Sequence, residues 1–352
     1  MIIAFIVPSL GPLGPVIVVR NLVERMIAHG HECVVFYFDE QEAPMRFACE
    51  TRRISFWKRE DFSRFDWIHA HCFRPMVYAA RVTCTKKMTT LHSYLFTEYR
   101  YSLGCCLGWM IGRFTMGMAS CYDKVVVLSE DARAYYSQWI AKDKLYVCYN
   151  GVDVTTLPSE AVKASLARDR DIVTDFKGES ILIGCLCELE KIKNLNTIIR
   201  ALSLLPSDYK LLLIGAGTDA VALTKLSRQL GVDERVLFLG FREEAHRFFP
   251  LVDIYAMTSR SEGFCLALVE AAMYGKVIVC ADIPGMREKF SEKNITYFDV
   301  DSPVSLAEAV LYARNHGEKA VMAKFTAEHR FSSEKMYEQY KDIYVSVESD
   351  IV

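Results

Sequence analysis

No stretch of this 352-residue chain is apolar for long enough to cross a bilayer. The most apolar run beyond the amino terminus, Tyr101 to Gly112 between Arg100 and Arg113, has 12 residues, whereas a membrane-spanning helix needs roughly 20 to cross a hydrocarbon core of ~30 Å. Met1 to Pro8 is apolar too, but no basic residues lead it and no cleavage pattern follows, so it reads as a first buried strand and not as a signal peptide. Paired cysteine spacing is also missing. The 12 cysteines are scattered, eight of them before residue 151, many inside apolar runs, which fits reduced core thiols in a cytosolic compartment and not a disulfide framework. Cys185 and Cys187 lack a second pair to complete a tetrahedral site, which argues against zinc. Low-complexity tracts and short repeats are absent. So is a strong net charge: the chain carries −2, with residues 1–150 at +4 (18 Lys and Arg against 14 Asp and Glu) and the remainder at −6. That asymmetry is too weak for nucleic acid, though it favours an anionic membrane surface or a phosphorylated acceptor on the first half.

What is present is the composition of a compact enzyme, 51% hydrophobic and 24% charged, long enough for two domains of about 150 to 200 residues each. Short apolar runs at 2–7, 32–38, 67–71, 88–92 and 124–129 alternate with helical patterns, and the plan repeats at 181–185, 209–215, 236–239, 254–258 and 277–281. Such alternation implies parallel sheets with helices on both faces. The expected fold class is α/β, with two Rossmann-like doubly wound domains at residues 1–165 and 178–330 and a final helix over 333–350.

The most informative feature is a pair of glutamates, Glu262 and Glu270, with seven residues between them. The local pattern reads strand, tight loop with Gly263, helix, Gly275 as a cap, and a second strand. Loops at the carboxyl ends of such strands feed helices whose first amides attract phosphate. A carboxylate offset from that phosphate accepts hydrogen bonds from sugar hydroxyls, which suits a nucleotide sugar; a surface glutamate and a helix-face glutamate are the plain alternative. A glycosidase would need two carboxylates astride the scissile bond, a geometry that a pair around one helix start does not provide.

From Ser259 to Glu270 the chain resembles the signature of the retaining GT-B glycosyltransferases of the large bacterial family that builds lipopolysaccharide, capsule and glycolipid sugars, and the likeness extends along nearly the whole chain. The resemblance implies that the two domains face each other across a cleft, that the final helix returns to the first domain, and that a nucleoside-diphosphate sugar donor, UDP- or GDP-linked, binds the second domain. It assigns Glu262 to the transferred sugar, Glu270 to the ribose, and the amides of Gly263, Phe264, Cys265 and Leu266 to the donor. Ile183 to Asn194 resembles the family's strand followed by an arginine and a lysine that hold the diphosphate; the lysine register falls on Lys193 and Cys185 occupies the arginine position, with Lys191 as a compensating cation or a weakened site as the two alternatives. Gly240-Phe241-Arg242 matches the loop that meets the base through backbone groups, with an exposed loop arginine as the plain alternative. His92 is placed beside the donor sugar, a position that sequence alone reads as a strand-end histidine. Asp66 to His71 resembles a strand ending in cleft histidines, and packing explains those better than chemistry.

Two glycine turns complete the set. Gly11 to Pro15 opens the first helix where backbone amides approach phosphate, with Gly14 kept and Pro15 replacing a second glycine. Gly215-Ala216-Gly217 follows a strand but lacks the third glycine and the acidic residue of a dinucleotide site, which argues against NAD. Asp299 and Asp301 superficially resemble a metal pair, yet no metal or other cofactor is expected. Arg52 to Arg64 interleaves bases and aromatics at a net +3, and Tyr94 to Met118 is rich in aromatics, Leu and Met. Both suit a membrane interface, with a solvated segment and a buried helix as the alternatives. The resulting expectation is a metal-independent retaining glycosyltransferase, peripheral on the cytoplasmic face of the membrane, acting on a saccharide or lipid-linked saccharide in lipopolysaccharide or other surface polysaccharide synthesis. A nucleotide-sugar epimerase or hydrolase of the same fold, or an inactive subunit of a membrane assembly, are the competing readings.

Overall fold

The computed structural model describes residues 1–83, 85–154 and 160–346, and only the backbone at 160–162 and 164. It divides into two compact units, one made of Met1–Val152 with the segment from Arg330 onward, the other of Asp153–His329.

In the first unit, β1 (Ile2–Ser9), β2 (Glu32–Asp39), β3 (Glu50–Arg53), β4 (Trp67–His71), β5 (Lys86–Leu91), β6 (Lys124–Val127) and β7 (Leu145–Val147) form one sheet of order β3-β2-β1-β4-β5-β6-β7. Every pairing is parallel. Helices on both faces explain why the central strands read as unbroken apolar runs: Phe5, Ile6, Val7, Val34, Val35 and Val125 to Val127 are all buried. The helices are α1 (Gly14–Ala28), α2 (Phe73–Ala79), α3 (Leu95–Leu103), α4 (Cys105–Ala119) and α5 (Glu130–Tyr136). Pro15 lies in the first turn of α1, where a missing N–H does no harm. Ser129 caps α5 by accepting from the Ala132 amide at 3.0 Å.

The second unit repeats the plan. β8 (Ile181–Leu186), β9 (Tyr209–Ile214), β10 (Val236–Gly240), β11 (Ile254–Met257), β12 (Val277–Ala281) and β13 (Thr296–Phe298) form a parallel sheet of order β10-β9-β8-β11-β12-β13. Around it lie α6 (Glu160–Lys177), α7 (Leu195–Leu202), α8 (Ala220–Gln229), α9 (Leu266–Met273), α10 (Met286–Lys289), α11 (Pro303–Arg314) and α12 (Glu318–Arg330).

The last helix, α13 (Ser333–Val345), belongs to the first unit. Arg25 donates to Ser333 Oγ at 2.9 Å, Tyr340 shares a hydrogen bond with Thr90 at 2.9 Å and Tyr344 with His69 at 2.6 Å. Buried Lys124 reaches the Ile343 carbonyl and Ser346 Oγ. Residues 347–350 of the helix expected over 333–350 lie outside the described residues, as do 155–159.

The sequence marks the junction by a turn at 150–153 and a polar stretch to about 178, with the first domain running to 165; the division comes at the early end of that region. It falls at Val152/Asp153, and α6 belongs wholly to the second unit. Asp169 on α6 accepts from Arg242 at 2.6 Å, and Lys177 donates to Asp253 at 2.7 Å. The sequence from residue 160 looks like a polar linker because α6 shows most of its surface to water.

A candidate donor site at the switch point of the second sheet

Strand β8 has β9 on one side and β11 on the other, so chain order reverses between β8 and β11. Ligands of open parallel sheets bind at the carboxyl ends of the strands at such a reversal, because the two following loops part to opposite faces. Here those loops run from Cys187 to Asn194 and from Thr258 to Cys265, the two segments in which the sequence placed its lysines and its first glutamate.

The loops are laced together. Lys193 Nζ donates to Glu262 Oε1 at 2.7 Å, and Ser259 Oγ donates to the same oxygen at 2.6 Å. Thr258 Oγ1 donates to the Lys193 carbonyl at 2.6 Å, and the Arg260 amide to the Ile192 carbonyl at 2.8 Å. The Arg260 guanidinium bridges the Lys191 carbonyl at 2.8 Å and Asp301 at 2.6 Å. Burial alone would lower the Lys193 ammonium, but the adjoining Glu262 carboxylate outweighs it and holds the group above its ordinary value. Lys193 is therefore a fixed cation. Lys191 is exposed, its side chain turned to solvent.

After Glu262 the chain turns sharply. Cys265 adopts φ 67°, a left-handed conformation unusual for a residue with a Cβ, and occupies the cap of α9 without a capping side-chain bond. The first amides of α9 consequently lack the side-chain acceptor that Ser or Asp would supply. Burial pushes the Cys265 thiol up to about 12, so it stays neutral beside that turn. Phe264 is buried, so only its backbone is available to a ligand. Leu266 opens α9, and Glu270 lies half-buried one turn along it.

At the carboxyl ends of β9 and β10 a cavity of about 650 Å³ is lined by Gly215, Gly217, Val221, Lys225, Phe238 and Gly240 among others, with Leu189 of the loop after β8 also on its wall. A smaller cavity of about 400 Å³, lined by Lys177, Asp253, Val277 and Arg314, lies at the amino ends of β8, β11 and β12, where open sheets do not bind ligands.

Comparison with known proteins agrees with this geometry. Residues 169–330 match the family model described as "Glycosyl transferases group 1" and residues 14–156 the one described as "Glycosyltransferase Family 4". The chain is 31% identical, over 98% of both sequences, to the O-antigen biosynthesis glycosyltransferase WclY of Escherichia coli. HepE from Anabaena, solved with UDP and glucose, shares the fold with a TM-score of 0.82 at 19% identity, over 98% of this chain and 100% of HepE. WaaG, a glycosyltransferase involved in lipopolysaccharide biosynthesis, does so with a TM-score of 0.73 at 14% identity, over 97% and 99% of the two chains. This chain belongs to the GT-B glycosyltransferases.

Several expected site residues of this glycosyltransferase have structural duties of their own. A Cβ at Gly215 would lie 1.9 Å from the Cys187 carbonyl, and one at Gly217 2.4 Å from that of Leu189. The glycine turn therefore lets the loop after β8 cross closely overhead, a reason invisible in the sequence. The Arg242 side chain is not free for a ligand: it grips Asp169 through two hydrogen bonds, at 2.6 and 3.0 Å. Next to it the Phe241 side chain is 54% exposed. Cys185, at the position where an arginine was expected, is buried on β8 opposite Leu213, and burial keeps its thiol neutral.

In the first unit Gly14 starts α1, and a Cβ there would meet nothing within 4 Å, so local packing does not demand glycine. His92 follows β5, its Nε2 2.8 Å from Nδ1 of fully buried His71. Burial lowers His92 to about 3 and His71 well below its usual range, so the pair shares one hydrogen bond as two neutral rings. Burial lowers His69 likewise, and it hydrogen-bonds Tyr344 and Thr90.

Arg260, Asp301, Ser259 and Lys289 were not expected at the site. Asp301 lies 41 residues from Arg260 in sequence. It anchors the guanidinium that holds the Lys191 loop. A signal existed only for Ser259 and Arg260, as polar residues directly after a buried strand.

Proposed function

We propose that this glycosyltransferase moves a sugar from a nucleoside-diphosphate donor to a saccharide acceptor with retention at the anomeric carbon and without a metal. The observation that carries this reading is the Lys193–Glu262 pair at the switch point, next to the uncapped start of α9. A cation and helix amides at one point suit a diphosphate, and a carboxylate beside them suits sugar hydroxyls. The base and ribose occupy the cavity near Gly215 and Gly240, with Glu270 on the ribose. Lys193, Lys191 and the amides from Gly263 to Leu266 neutralise the leaving diphosphate, which supplies most of the catalysis. The bond from the anomeric carbon to the diphosphate breaks while the acceptor oxygen bonds on the same face, and the acceptor proton passes to the departing phosphate oxygen. His92 and Gly14 keep the roles that the family resemblance implies for them, and a neutral His92 orients a hydroxyl without competing for its proton.

The similarity to WclY, whose name places it in O-antigen biosynthesis, supports surface polysaccharide assembly as the setting, and we infer a lipid-linked saccharide as the acceptor. The acceptor would be met at the cytoplasmic face of the membrane. Among the described residues no helix is long and apolar enough to span a bilayer. Two glycines of α4 pack closely against α3: a Cβ at Gly108 would lie 2.6 Å from the Tyr99 carbonyl, and one at Gly112 2.6 Å from the Phe96 ring. Four of the large apolar residues of α4 point outward, Leu107, Met110 and Phe114 at helical spacing and Trp109 beside them, all at least 50% exposed, while Met116 is buried. That distribution suits an interface better than water. The basic segment contributes less than its charge suggests, because Arg52, Arg53 and Arg64 pair with Glu50, Glu40 and Glu32. Lys58, Arg59 and the exposed Trp57 remain for lipid.

Thermal shift with UDP-, GDP- and ADP-sugars tests the donor claim, since a ligand at about 100 times its dissociation constant stabilises by ~2.7 kcal/mol. NMR of the product then reads the anomeric configuration. Product without acceptor would mean an epimerase or hydrolase; no stabilisation by any donor would mean an inactive subunit.

A further inference from the structure

A lysine lies buried beneath the loop that separates the two glutamates. Lys289, the last residue of α10, is 1% exposed. Its Nζ donates to the Gly263 carbonyl at 3.1 Å and to the Gly285 carbonyl at 2.9 Å, and it lies 5.2 Å from the centre of the buried Phe264 ring. We propose that Lys289 is a positioning residue of the donor site: by holding the Gly263 carbonyl inward it aims the following amide, and the loop from Glu262 to the start of α9, toward the donor. The assignment rests on the reading that the second unit binds a nucleotide sugar.

The argument is geometric. A trans peptide is planar, with C=O and N–H on opposite sides, and the described backbone has no cis bonds. A Gly263 carbonyl turned down onto Lys289 therefore turns the Phe264 N–H up, away from the core. Two residues later Cys265 is held at φ 67°, a conformation that persists only where its surroundings enforce it. An apolar residue at 289 would fill the space but could not hold that carbonyl. Burying an ammonium is unfavourable, and burial lowers this one to about 8, against the opposing pull of Glu288 on its own helix, Cys265 and Glu262 on the loop above, and Cys280 on β12. A core position that keeps so unfavourable a group, in contact with the loop between the site glutamates, is better explained by orientation than by stability.

The test compares wild type with Lys289→Met, a side chain of similar length without N–H groups. Binding of whichever of UDP, GDP or ADP the wild type holds most tightly is measured by calorimetry, and KM and kcat by steady-state kinetics, at a temperature where circular dichroism shows both proteins folded. Nucleotide affinity should fall at least tenfold and the donor KM rise by a similar factor, while the acceptor KM changes less than twofold. Hydrogen exchange at residues 263–266 of wild type supplies a second reading that needs no variant: these amides face an unfilled site in the free protein, and the nucleotide should slow their exchange. A folded Lys289→Met protein with unchanged nucleotide affinity and donor KM overturns the assignment, as does wild-type exchange at 263–266 that bound nucleotide leaves unchanged. Wild type that binds none of the three nucleotides removes the functional reading as well, which separates the two failures.

Discussion

Lys193 and Glu262 meet at 2.7 Å with 20% and 13% of their side chains exposed, and the contact joins the loop after β8 to the loop after β11. Each arrived as a separate expectation, the lysine for phosphate and the glutamate for sugar. Their pairing means that a donor enters a site whose cation is already occupied. Lys193→Ala should lower the rate at least tenfold, about 1.4 kcal/mol in the barrier. Glu262→Ala should reduce turnover more than nucleotide affinity, because Lys193 then turns wholly to the diphosphate. A double-mutant cycle on urea stability should give a coupling of about 1 to 3 kcal/mol. Full activity in a Lys191, Lys193 double alanine variant would refute the phosphate role.

Arg260 holds two partners at once, the Lys191 carbonyl and Asp301. A lysine cannot reproduce that planar fork. Arg260→Lys should therefore raise the donor KM nearly as much as Arg260→Ala, and Asp301→Asn should raise it less. Equal KM values in wild type and Arg260→Ala would show that the loop keeps its shape unaided.

Two glycines should separate packing from binding. Gly215→Ala drives a methyl into the Cys187 carbonyl and should destabilise the protein by at least about 1 to 3 kcal/mol in urea. Gly14→Ala meets open space and should stay within about 0.5 kcal/mol of wild type. If Gly14 serves a phosphate, the same variant should nonetheless weaken donor binding in calorimetry; unchanged affinity would return it to an ordinary helix start.

His69, His71 and His92 are all held neutral by burial, His92 with a value of about 3. In the unfolded chain each takes up a proton near about pH 6.5. The unfolded state thus binds more protons below that pH, so their contribution destabilises the fold progressively as pH falls from about 6.5 toward 3. Urea midpoints across that range should drop less steeply in His71→Gln than in wild type. Parallel curves would mean that His71 is charged in the folded protein. For the same reason the rate profile should show no inflection near about pH 6.5 that disappears in His92→Gln.

Flotation with anionic vesicles checks the membrane proposal. Replacing Leu107, Trp109, Met110 and Phe114 with serine should abolish flotation, whereas replacing Arg52 and Arg53 should change it little, because those two already pair with glutamates. Flotation that survives the four serines, or that never occurs, removes the interface role of α4.

By itself the sequence determined the two parallel sheets and the place of the two loops at the switch point. Buried parallel strands must be apolar runs, and Gly263 with the glutamates about it marks a strand-to-helix turn whatever surrounds it. It left β3 and β7 unseen: Glu50 to Arg53 is an exposed, charged edge strand without an apolar pattern, and Leu145 to Val147 is too short to show one. Tertiary structure alone decided that Asp301 grips Arg260, that Arg242 is committed to Asp169, that Gly215 exists for the Cys187 carbonyl, and that Lys289 lies under Gly263. These contacts join residues 26 to 73 positions apart. Periodicity reports only which face of an element is buried, and which side chains meet there depends on how the elements stack.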